Sequence, residues 1–154
     1  MKKSKNPYRK PEEAWQETEE GVLLKYPIFK HDPRIPDDPI IKKTIKEVIN
    51  DVDFYGWKGG KEDRIVDSTG KVFRTKFEES NGGRTLIFIP ITYKSGVFPS
   101  EVERTMRISE VKEIMKSGIE SNKIRITEKL EELKLKIEEL DSIEDILKLC
   151  GSYF

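Results

Sequence analysis

DRIVDSTGKVFRTKFE, residues 63–78, contains the signal that decides the fold. Asp67-Ser68-Thr69-Gly70-Lys71 is a hairpin turn in sequence, because Asp favours the start of a turn and Gly takes the position that needs positive φ. The flanks agree with that. Asp63 to Asp67 reads as a short strand. Val72 to Glu78 returns with Phe73, Thr75 and Phe77 on one face and Arg74 and Lys76 on the other, the period-2 alternation of a strand.

The meander continues outward in both directions. Upstream, Asp53 to Trp57 reads as a strand joined through the turn Lys58-Gly59-Gly60-Lys61. Downstream, Ser80-Asn81-Gly82-Gly83 is another turn. Arg84 to Tyr93 (RTLIFIPITY) is apolar on both faces and predicts a strand covered on both sides, with Pro90 forcing a bulge or a free ladder position. Glu101 to Ile108 fits strand alternation better than the helix that Ser100 and Glu103 could cap.

Helical patterns flank the meander. Ile40, Ile41, Ile45, Val48 and Ile49 share one helical face, which predicts a helix over Ile40–Asp51 with Asp38 as its cap. Ser109 caps a segment carrying Val111, Ile114, Met115 and Ile119. Ile126, Leu130, Leu133, Ile137 and Leu140 then follow a 4, 3, 4, 3 spacing, a short heptad seam. Ser142 with Asp145 starts a last helix through Cys150, and Gly151 caps its end.

The N-terminal region is arranged differently. Met1 to Lys10 carries five positive charges and Pro11 to Glu20 five negative ones, with a short helix expected over the acidic block and Trp15 as its anchor. Val22 to Phe29 is apolar, but Pro27 demotes it to an edge strand. HDPRIPDDP, residues 31–39, has three prolines in nine residues and reads as a connector.

Segregated strands and helices predict an α+β fold. The expectation is a single domain with an antiparallel sheet of about five strands, an N-terminal helix and two to three C-terminal helices on one face. Residues 1–34 form an arm and connector, and residues 35–154 the core.

Composition bounds the function. The 154 residues carry 29 basic and 29 acidic side chains, so bulk electrostatic attraction to nucleic acid is not expected. One Cys and one His rule out a disulfide framework and a His/Cys zinc site. No apolar run is long enough for a membrane span. The start is basic without an apolar stretch behind it, which is not a secretory signal, and a single thiol makes a cytoplasmic location the expectation. The 21 Lys and 20 Glu beside one Gln fit a thermophile or an AT-rich genome.

Catalytic signatures fail one by one. Gly56 to Lys61 lacks P-loop spacing and has Glu62 where the hydroxyl belongs. His31 has no nucleophile supplied by a motif, and Cys150 reads as a buried helix residue. Asp63 and Asp67 straddle one strand and share a face, which would suit a carboxylate-bound metal, yet no matching Glu-x-Lys lies on the adjacent strand. No metal site or cofactor is assigned.

Three functions follow, in order. The first is a non-catalytic interaction module for a protein partner or a second copy, using the sheet edge near Val22 to Phe29 or the C-terminal helices, with Ile126, Leu130, Leu133 and Ile137 as the interface. The second is a nucleic-acid-binding sheet face using Tyr55, Trp57, Lys58, Lys61 and Arg74 for stacking and phosphate contact. The third is a metal-dependent enzyme with carboxylate ligands around Asp63 and Asp67.

Overall fold

The computed structural model describes residues 11–35, 37–55, 63–78, 85–86, 89–90, 96–122 and 129–154. The hairpin that organises them forms as its sequence predicts. Strands β3 (Arg64–Val66) and β4 (Lys71–Glu78) pair antiparallel, with Ile65 opposite Phe73 and Val66 opposite Val72. Asp67 holds the turn. Its Oδ1 accepts from the Thr69 N–H at 2.9 Å, the Thr69 hydroxyl at 2.6 Å and the Lys71 N–H at 3.1 Å. Gly70 sits at φ 90°, a backbone position that costs an L-residue with a Cβ roughly 1–2 kcal/mol.

Strands add on both sides of this hairpin. β1 (Ile28–His31) pairs with β3, and β2 (Ile40–Lys42) pairs with β1. β7 (Gly96–Thr105) pairs with β4, giving the all-antiparallel order β2-β1-β3-β4-β7. Two short strands, β5 (Thr85–Leu86) and β6 (Ile89–Pro90), pair only with each other.

Both faces of the sheet are covered. Period-2 alternation sends Ile28, Ile65 and Phe73 to one face, where they meet Trp15, Val48 and Phe54. Helices α1 (Pro11–Ala14), α2 (Ile45–Ile49) and α3 (Val52–Tyr55) supply that layer. The same alternation sends Phe29, Val66 and Val72 to the opposite face. There α4 (Ile108–Ser121), α5 (Leu130–Glu139) and α6 (Ile143–Cys150) pack with Val111, Met115, Ile119, Leu133, Ile137 and Leu147.

The α+β class, the five-stranded antiparallel sheet and the helices at either end of the chain therefore stand. Several local expectations do not. Ile40–Asp51 is not one helix: Ile40 and Ile41 pair with Lys30 and Phe29 as β2, and the helix starts only after Thr44, whose hydroxyl accepts from the Glu47 N–H at 3.3 Å. A pair of β-branched residues suits either element, and the open edge of β1 decides for strand.

Asp53 to Tyr55 is helical because the Asp51 carboxylate accepts from the Phe54 N–H at 3.1 Å and caps a single turn. Of the strand expected over Arg84 to Tyr93, the described residues form β5 and β6, paired with each other with Leu86 opposite Ile89, and the rest lies outside the described residues. The helix expected over Pro11–Glu20 stops at Ala14. The following backbone folds back, with Glu17 bridging Leu23 and Gly21 at φ 85°.

The segment after Val22 also differs from expectation. Its strand begins at Ile28, past Pro27, and lies between β2 and β3, so it is interior. A proline just outside the ladder removes no ladder bond, and its rule against central strands does not apply. Ala14, Trp15, Leu24, Ile28 and Phe29 are all buried, so the core draws on both sides of the expected 34/35 boundary. Among the described residues no helix is long and apolar enough to cross a membrane.

Candidate functional site

A buried group of charges lies beside β1. Lys30 is only 9 % exposed, and its ammonium donates to the Phe54 carbonyl oxygen while lying 4.5 Å from the Phe54 ring centre. Burial pulls its pKa down, against the attraction of Asp63 and Asp51. Asp63, just before β3, is 2 % exposed, and its Oδ1 is sealed without a hydrogen-bond partner. Burial raises the Asp63 pKa, and the nearby Asp32 adds to the rise. The hydrogen bonds from Arg34 pull the Asp32 pKa down.

His31 does not join this group. Alternation along β1 turns it to the face of Phe29, against which it packs edge-on at 6.5 Å. Burial lowers its pKa, and its Nδ1 is buried without a partner. The run Lys30-His31-Asp32 is therefore split between two faces and is not one catalytic cluster.

Some of the residues expected to contact ligands are described. Tyr55 is buried and stacks on Phe98 with ring centres 6.4 Å apart. Arg74 is exposed on the opposite sheet face, with Glu103 at 3.3 Å and Glu101 at 3.8 Å. The structure does not bring these two together, and Trp57, Lys58 and Lys61 lie outside the described residues. Leu133 and Ile137 are fully buried against α4 and the sheet, and Leu130 is partly buried beside them. Those three seam positions pack within the chain, and Ile126 lies outside the described residues.

Asp67 is committed to its own turn, which separates it from Asp63 as a joint ligand. Among the described residues no group of three or more His, Cys, Asp or Glu could hold a metal ion. The Cys150 thiol is buried, and burial pushes its pKa up to about 12.

The outer edge of β7 is guarded. Register shifts interrupt its pairing with β4 between Val72 and Phe73 and between Phe73 and Thr75. Charged residues crowd its exposed end: Glu103 pairs with Arg64 at 2.9 Å and Arg104 with Glu110 at 3.1 Å. Bulges and charges on an edge strand block indiscriminate strand addition.

A cleft of about 530 Å³ remains, lined by Ile35, Asp37, Asp38, Pro39, Ile40, Ser121, Asn122 and Phe154. That volume lies within the roughly 300–1,000 Å³ common for ligand clefts. Three sequence-distant pieces build it. The connector is shaped by Asp32, whose carboxylate accepts from Arg34 N, Nε and Nη2 at 2.9, 3.0 and 2.9 Å. The Ile35 N–H then bonds the Asp32 carbonyl at 2.9 Å, and the Asp38 N–H the Ile35 carbonyl at 3.2 Å.

The second piece is the end of α4. Asn122 caps it, its backbone N–H and side-chain amide reaching the Gly118 carbonyl at 3.0 and 2.8 Å. The third is Phe154. Its ring and Pro39 lie so close to Gly118 that an added Cβ would meet them at 2.8 and 2.9 Å, so only glycine admits this approach.

The described lining of the cleft carries charge of one sign. Asp37 and Asp38 are carboxylates, and the C-terminal end of α4 adds the partial negative charge of its helix dipole. Among the described lining residues none is basic. Ile35, 52 % exposed, presents apolar surface at the rim. In sequence, residues 31–39 read only as a connector. The signal available was the acidic pair Asp37-Asp38 beside exposed-looking apolar residues, but its partners at 121–122 and 154 are joined to it only by the fold. No family model, curated protein or solved structure matches the chain.

Proposed function

We propose that this protein is a non-catalytic module that binds another protein, taking a basic segment with interspersed apolar residues into the cleft between the connector and the end of α4. The observation that carries this is the joining of one-sign charge to apolar surface in a single concavity, from Asp37, Asp38 and the α4 terminus to Ile35, Pro39 and Phe154. Lys or Arg of the partner would meet the carboxylates, and its apolar side chains would cover the exposed Ile35.

The magnitudes assign each part a role. Exposed ion pairs contribute only about 0.2–1 kcal/mol each, so the carboxylates select and steer. Apolar burial at about 25 cal/mol per Å² supplies most of the affinity. The guarded β7 edge and the buried positions of Leu133 and Ile137 favour the cleft over the other surfaces considered for a partner.

Fluorescence anisotropy with a labelled synthetic peptide of alternating Arg, Lys and Leu tests this. Saturable binding is expected, weakened by salt and by the double substitution Asp37→Asn, Asp38→Asn, and absent for the same peptide with Glu in place of its bases. Equal binding to the wild type and the double variant would overturn the proposal.

A further inference from the structure

We infer that the cleft is an arginine site, in which the Phe154 ring selects a guanidinium over an ammonium. The inference deepens the binding proposal above and rests on it. It begins with what the described lining offers a ligand: hydrogen-bond acceptors and a single aromatic ring.

Donors along this surface are already engaged. The Ile35 N–H bonds the Asp32 carbonyl at 2.9 Å, and the Asp38 N–H bonds the Ile35 carbonyl at 3.2 Å. Pro39 has no N–H to give. At the end of α4, the Asn122 backbone N–H and side-chain amide nitrogen both donate to the Gly118 carbonyl, at 3.0 and 2.8 Å. That commitment leaves Oδ1 as the group Asn122 can offer. The Asp37 and Asp38 carboxylates are acceptors outright, and the Ser121 hydroxyl can accept as well. Lys and Arg are the side chains that bring several donors, a positive charge and no acceptor at neutral pH.

Phe154 decides between the two. Its ring is seated by one edge: a Cβ added at Gly118 would lie 2.8 Å from Phe154 Cζ, 3.0 Å from its Cε1 and 2.9 Å from Pro39 Cδ. The turn after α6 fixes the chain that carries it, with the Gly151 N–H on the Leu147 carbonyl at 2.8 Å and the Tyr153 N–H on the Cys150 carbonyl at 2.9 Å. The ring is thus held in place, partly buried against the core, and lines the cleft with the remainder of its surface. A guanidinium is planar and weakly hydrated, so it stacks on an aromatic ring while its N–H fork spans a carboxylate. An ammonium is a compact, strongly hydrated charge that matches the carboxylates but not the plane of the ring. Arginine is the side chain that uses both features of this cleft at once.

A pair of labelled peptides tests this by fluorescence anisotropy, one with every base Arg and the other with every base Lys, both with the same leucines. The arginine peptide is expected to bind about 2–10-fold tighter, the factor that a ring against one guanidinium supplies. Phe154→Leu keeps an apolar side chain and removes the aromatic face, so the two affinities should converge through loss of arginine binding. Phe154→Tyr returns a ring and should return the preference. A purely structural role for Phe154 would weaken both peptides alike and leave their ratio standing. Equal affinities in wild type, or a preference that survives Phe154→Leu, would overturn the inference.

NMR on the wild type needs no variant. Nuclear Overhauser contacts between the Phe154 ring protons and arginine Cδ protons are expected in the saturated complex, and their absence would overturn the inference. The two readings fail separately. Equal binding of both peptides, each weakened by the double substitution Asp37→Asn, Asp38→Asn, would sustain the binding proposal and refute the arginine site. Binding of neither peptide would refute the binding proposal, and the inference with it.

Discussion

Gly70→Ala is expected to lower stability by about 2–5 kcal/mol, from two sources. Residue 70 sits at φ 90°, where a Cβ costs roughly 1–2 kcal/mol. The new Cβ would also lie 2.6 Å from the Met106 carbonyl oxygen and 3.0 Å from Ile143 Cδ1. Overpacking of this kind costs typically 1–3 kcal/mol. The backbone has little room to retreat, because the Met106 N–H bonds the Gly70 carbonyl at 2.6 Å and joins the hairpin to the end of β7. At roughly 2–4 °C per kcal/mol for a chain of this length, the melting temperature should fall by about 4–20 °C. Chemical denaturation followed by circular dichroism measures the change directly. Gly70→Asn separates the two sources, since Asn tolerates positive φ but keeps the Cβ, and it should recover only the backbone share. A loss under about 1 kcal/mol for Gly70→Ala would refute the close packing of hairpin, β7 and α6 described above.

Two further expectations concern the C-terminal helices. Leu133→Ala should cost about 2–5 kcal/mol, the range for a buried leucine, while Leu135→Ala, at a position 62 % exposed, should stay within about 0.5 kcal/mol; equal losses in urea titrations would mean that α5 is rotated from the orientation found here. Cys150, its thiol pushed up to about 12 by burial, should resist iodoacetamide at pH 8 in the folded protein and react once denatured, as read by mass spectrometry; prompt alkylation of the native chain would contradict its burial.

Local chemistry explains which elements could be read from sequence. The Asp67–Lys71 turn was legible because its signal is self-contained: an acceptor side chain, a glycine and alternating flanks. The last helix was legible for the same reason, with Ser142 accepting from the Asp145 N–H at 3.1 Å and Gly151 at its end. Ser109 reads as the cap of α4, but Arg107 occupies the cap position two residues earlier, with the Glu110 carboxylate accepting from its N–H at 3.3 Å.

Ile40 to Asp51 failed because helical spacing of apolar residues carries no information about the free edge of β1, which claims Ile40 and Ile41. The layer of α1, α2 and α3 was hidden similarly. Short helices have little periodicity of their own and exist because Ile28, Ile65 and Phe73 offer them a face.

The candidate site was less legible than the fold. Asp63 was singled out from sequence, but as half of a metal pair with Asp67. The pairing of β1 with β3 instead brings it near Asp32, thirty-one positions earlier in the chain. The cleft joins residues 35–40 to 121–122 and 154, and no local pattern links them. Gly118 weakens a helix when read alone; in the fold it is what lets Pro39 and Phe154 approach α4.

Amide chemical-shift mapping with the basic, leucine-bearing peptide tests the central claim most directly. The account predicts shifts concentrated at Ile35, Asp37, Asp38, Ile40, Ser121 and Asn122, with the β7 residues Glu101 to Thr105 unmoved. Shifts confined to β7 or to the face around Arg74, with the cleft silent, would contradict it.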